Sequence, residues 1–152
     1  MTWSVIWLWK LQFTILIFFT TLYCVGRVRE VKISFCWLYK DHVEFLLDKI
    51  TDEGSATQRL QLSGNHLELV DKELLVAAAD ILVLLALEWC NLEPWHVVAL
   101  AEEERSGVVV LSEQEIKARL PDVFRVAKMS PGITLSREAS HEAPATDLLQ
   151  CL

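Results

Sequence analysis

The fifteen residues from Leu11 to Val25, LQFTILIFFTTLYCV, carry no charged side chain. No other feature limits the architecture as much, because so apolar a run must be shielded by a bilayer, buried within a fold, or removed. A hydrocarbon core of about 30 Å takes roughly 20 helical residues. The run reaches that length only if it extends back to Trp3, which places Lys10 inside it. A lysine about two turns from a helix end can lead its stem to the interface and keep its ammonium wet. Trp3, Trp7 and Trp9 then mark one headgroup layer, and Trp37 and Tyr39 the other. The expectation is a single-pass membrane protein that meets the lipid bilayer through Trp3 to Val25. Arg27, Arg29 and Lys32 follow the run and hold the rest of the chain on the cytosolic side. Two alternatives stay open. Small residues at Cys24-Val25-Gly26 fit signal cleavage near Gly26 and a secreted or lumenal product. An alternative or non-native beginning instead leaves the domain in the cytoplasm or nucleus.

Charge divides the chain at the same place. Residues 1–40 hold five basic and one acidic residue and ten of the fourteen aromatics, whereas the remainder holds nine basic and twenty acidic residues. The break near Lys40 and Asp41 sets the expected organisation: an apolar segment over 1–40, an acidic helical domain over 41–129, and a disordered tail over 130–152. The tail reads SPGITLSREASHEAPATDLLQCL, with two prolines, many small polar residues and no period. Cys151 lies second from its end, which does not fit a prenylation signal.

Between residues 41 and 129 the pattern predicts a mostly α fold, a small helical bundle. Val43, Leu46, Leu47 and Ile50 recur at i, i+3, i+4 and i+7, with Asp41 and Glu44 placed to cap the helix start. Leu74 to Cys90 reads as one central helix, its polar residues Glu73, Asp80, Glu88 and Asn91 confined to a narrow stripe. A second membrane span there would place Asp80 near the midplane, at a cost of about 2.5 to 3.5 kcal/mol. Pro94 opens a further helix that ends before Gly107 and carries Glu102, Glu103 and Glu104. GVVVL follows as an extended run. LSEQEIKARLP then reads as a helix capped by Ser112 and Glu115, stapled by Leu111 and Ile116, and stopped by Pro121.

One short stretch does not fit a bundle. RLQLSGNHLEL alternates around Ser63-Gly64-Asn65, which suggests a hairpin. Its Leu60-x-Leu62-x-x-Asn65-x-Leu67 also has the core spacing of one leucine-rich repeat. A solenoid needs several stacked copies to bury its core, and no second copy shows at any period, so a hairpin or chance is preferred.

Sites for chemistry are not apparent. The histidines His42, His66, His96 and His141 lie far apart, and the four cysteines form no Cys-x-x-Cys pair. No Gly-rich phosphate loop, Gly-x-Ser-x-Gly elbow or His-Glu-x-x-His helix is present. Asp80 and His66 are the titratable residues that folding could bring beside another such group. No catalytic, cofactor-binding or metal-ligating residue is therefore assigned. The acidic surface is wrong for phosphate backbones, so nucleic acid is not an expected partner. Elimination leaves a non-enzymatic protein–protein interaction or scaffold module with an unknown protein partner, an enzyme of unknown type being the alternative.

Overall fold

The computed structural model describes residues 2–4, 27–102 and 104–137. Six short strands lie side by side in chain order: β1 (Thr2–Ser4), β2 (Glu30–Lys32), β3 (Arg59–Gln61), β4 (Leu84–Ala86), β5 (Val108–Ser112) and β6 (Ile133–Ser136). Every neighbouring pair is parallel. Parallel neighbours cannot be joined by a tight turn, so each needs a crossover. From β2 onward the crossovers carry the five described helices: α1 (Lys40–Thr51), α2 (Lys72–Ile81), α3 (Pro94–Glu102), α4 (Glu113–Arg119) and α5 (Pro121–Met129). Contacts run α1 to α2, α2 to α3 and α3 to α5, so these helices form a second layer beside the sheet.

The result is an α/β solenoid rather than a helical bundle, and its period can be read from paired residues. Trp3, Val31, Leu60, Leu85, Val109 and Ile133 are neighbours across the sheet, separated in sequence by 28, 29, 25, 24 and 24 residues. Three repeats share one buried pattern: Val31-x-Ile33-x-x-Cys36-x-Leu38, Leu60-x-Leu62-x-x-Asn65-x-Leu67 and Leu85-x-Leu87-x-x-Cys90-x-Leu92. The second is the leucine-rich core noted above, and it is one of a stacked series. RLQLSGNHLEL is accordingly not a hairpin, because β3 pairs in parallel with β2 and β4. The inward strand residues meet Val43, Leu46, Leu47 and Ile50 of α1, Leu75 and Ala78 of α2, Val97 and Leu100 of α3 and Ala127 of α5 in a single core.

The expected central helix from Leu74 to Cys90 is two elements. Helix α2 ends at Ile81, and Leu84 to Ala86 is strand β4. Both are apolar because a helix and a parallel strand are buried together here, so periodicity alone does not separate them. The break is fixed from outside. Val83 donates its N–H to Gln58 O at 2.8 Å, and its carbonyl accepts from Val108 N at 2.9 Å. A Cβ on Gly107 would run into the Leu82 carbonyl oxygen, so only glycine lets the two repeats close at this corner.

Other expectations change as well. Residues 133–136, placed in a disordered tail, form strand β6 on β5, and residues 138–152 lie outside the described residues. The single-pass membrane placement is also overturned. Among the described residues no helix is long and apolar enough to cross a membrane. Thr2–Ser4 pairs as a strand with Glu30–Lys32. That pairing sets Ser4 beside Lys32, whereas a span from Trp3 to Val25 would place them on opposite sides of a bilayer. Residues 5–26, with the rest of the apolar run, lie outside the described residues. The composition break at Lys40 falls at the start of α1, and β2 before it and α1 after it both contribute to the one core.

A candidate binding rim at the strand ends

Each of these three repeats leaves its strand through a left-handed turn, and in the first and third the sequence makes that turn costly. Phe35, Trp37, Trp89 and Asn91 have φ of 56°, 60°, 57° and 57°, and Gly64 has 79°. Bulky residues in this left-handed region are strained by roughly 1 to 3 kcal/mol each, so neighbouring groups must hold them there.

Asn65 is the first such group. Its Oδ1 accepts from Cys36 N at 3.1 Å and Leu38 N at 3.0 Å, and its Nδ2 donates to Ile33 O at 2.6 Å and Leu62 O at 2.8 Å. The side chain is 1% exposed, and all four of its hydrogen-bonding positions are filled. Through these bonds the second repeat fixes the turn of the first. The matching position in the third repeat is Cys90, whose Sγ donates to Leu62 O at 3.2 Å. Burial pushes the Cys36 thiol up to about 12 and raises Cys90 further, so neither supplies a thiolate nucleophile.

Glu115 does the same for the third turn. Its Oε1 accepts from Trp89 N and its Oε2 from Asn91 N, both at 3.1 Å, and Arg119 closes on Oε2 at 3.2 Å. Burial raises its pKa, outweighing the opposite pull of the Asn91 N–H, Arg119 and the Trp89 N–H. Ser112 does cap α4, its Oγ accepting from Glu115 N at 3.2 Å. The carboxylate foreseen as the other half of a capping box serves the neighbouring repeat instead. Pro121 begins α5 rather than merely stopping α4.

The turns so held carry aromatic side chains outward. Trp37 is 58% exposed and Tyr39 50% exposed. The Tyr39 ring stacks on His66 with centroids 4.7 Å apart and planes 5° from parallel, and Trp37 lies 6.2 Å from the same imidazole. The Phe35 ring covers the α-carbon of Gly64, where any Cβ would collide with it. Phe35, Trp37, Gly64 and His66 line an open pocket of about 210 Å³.

Each of the two titratable residues singled out from sequence lies beside one other charged or titratable side chain, in separate places. Asp80 pairs with Arg105 across 3.4 Å, and His66 takes part in the aromatic rim with Glu68 at 4.0 Å. His96, fully buried, accepts the Glu93 N–H at Nδ1 and bonds the Val70 carbonyl through Nε2 at 2.6 Å. The two partners fix its proton on Nε2, and both ring nitrogens serve the packing of α3. Among the described residues no three His, Cys, Asp or Glu side chains form a group able to hold a metal ion. Sequence reasoning missed the rim because it gave Trp37 and Tyr39 to a headgroup layer. Aligning the cysteine and asparagine positions of the repeats would have placed Phe35, Gly64 and Trp89 in one column.

Neither models of protein families, nor curated proteins, nor solved structures contain a match to this chain.

Proposed function

We propose that this chain is a non-enzymatic interaction module that receives a protein partner on the rim at its strand ends. The observation that supports it is the expense of the rim: Phe35, Trp37 and Trp89 occupy left-handed turns where glycine or asparagine would fit without strain. Two deeply buried side chains, Asn65 and Glu115, hold those turns. Exposed tryptophan and tyrosine on a rigid support are what dominate binding energy at protein interfaces. Solenoids commonly bind on such extended surfaces.

The test places a photocrosslinking amino acid at Tyr39 and, separately, at Phe45, an exposed aromatic on α1. A defined product captured from cells at Tyr39, lost on Trp37→Asn and absent at Phe45, is expected. Equal capture at both positions, or none at Tyr39, would remove the reading.

A further inference from the structure

We infer that the pocket between Phe35, Trp37, Gly64 and His66 takes a cationic side chain, lysine or arginine, from a basic segment of the partner protein. The inference rests on the interaction-module reading and adds the chemistry of the partner.

Size is the first argument. A cavity of about 210 Å³ falls below the roughly 300 to 1,000 Å³ of typical small-molecule sites. It suits one inserted side chain. The walls are the second argument. An indole, a phenyl ring and the tyrosine-stacked imidazole line the pocket, and aromatic faces attract cations through their quadrupoles, tryptophan most strongly.

Charge is the third argument. The three rim segments 34–40, 63–70 and 88–93 contain Glu68, Glu88 and Glu93 against one basic residue, Lys40. Glu68 stands 4.0 Å from the wall residue His66 through Oε1. Its negative charge beside that wall attracts an entering ammonium or guanidinium. An acidic side chain would be repelled by the same charge.

The measurement separates charge from shape. Choline and its uncharged isostere 3,3-dimethylbutan-1-ol are titrated into the full chain while the Trp37 indole N–H is followed by NMR, assigned with Trp37→Phe. Choline should move the signal at concentrations about tenfold lower than the isostere, a preference of the size one desolvated cation–π contact gives. The peptide Gly-Gly-Arg-Gly-Gly should act like choline, and Gly-Gly-Glu-Gly-Gly should leave the signal in place. Equal potency of choline and its isostere, or no movement with either, overturns the inference. A partner crosslinked at Tyr39 alongside equal potency would leave the module standing and remove only the cation. Charge selectivity at Trp37 with no crosslinked partner would keep the pocket chemistry and remove the module.

Discussion

Asn65 and Glu115 do one task in two regions of the solenoid. Each lies in the repeat that follows a left-handed turn, and each accepts two backbone N–H groups from it. Asn65 does so as a neutral amide that also donates twice, inside the core and without any charge to desolvate. Glu115 does so as a carboxylate with no donor to give, 3% exposed and dependent on Arg119 for compensation. The first arrangement is self-sufficient. The second holds its turn at the cost of a buried charge, and its strength therefore depends on pH.

The largest expected effect comes from deleting the two side chains. Asn65→Ala takes this acceptor from the N–H groups of Cys36 and Leu38 and this donor from the Ile33 carbonyl. At about 1 to 3 kcal/mol for each unmet buried group, the loss should be roughly 3 to 5 kcal/mol in urea denaturation. Glu115→Ala takes the carboxylate acceptor from two N–H groups in a part-buried turn that water can reach, and it removes a desolvated charge, so about 1 to 2 kcal/mol is expected. Equal losses would mean that the two residues are equivalent after all.

A pH series sharpens the same contrast. The folded pKa of Glu115 is raised above its ordinary value, so the folded state takes up its proton first as pH falls. The associated stability is fully present below the ordinary carboxylate pKa and is lost as pH rises through the folded pKa. Glu113 runs the other way, its pKa lowered first by the hydrogen bond from Lys117, so the total curve mixes the two. The difference between the wild type and Glu115→Gln isolates the Glu115 part. Relative to the variant, the wild type should gain stability as pH falls from neutral through that raised pKa. A difference independent of pH would show that the carboxylate is as well compensated as the amide.

The smallest effect concerns strain. Trp37→Asn exchanges an exposed indole for a residue that tolerates φ near 60°, so the fold should gain about 1 kcal/mol in the same melts. A loss would show that packing of the indole on His66 outweighs the backbone strain.

Local punctuation in this chain is legible in part, since α1 is capped at Tyr39 rather than by Asp41 and Glu44, and its stacking is not legible. The apolar face of α1, the start of α3 at Pro94 and the Ser112 cap follow from spacing and side-chain chemistry, because each depends on residues within one or two turns. The solenoid depends on residues 24 to 29 apart. Its signal is obscured because cysteine stands at two of the three positions where asparagine would announce a repeat. Strands of three residues add little alternation. The fourth repeat breaks the pattern altogether: its strand runs directly through Ser112 into α4, with no left-handed turn. The rim was illegible for a related reason, since a column of aromatics across repeats cannot be seen until the register is known.

The thiols on either side of Asn65 in the column have a use that their inertness makes possible. With Cys24 and Cys151 replaced by serine, Cys36 and Cys90 become two clocks, because each can be alkylated only when its own repeat opens. In a linear array whose units hold one another mainly through nearest-neighbour contacts, opening need not be concerted along the chain. The ratio of the two alkylation rates under native conditions would therefore measure how far an opening event travels, and Asn65, bonded to the Cys36 N–H and to the Leu62 carbonyl that Cys90 also uses, is the joint through which it must pass.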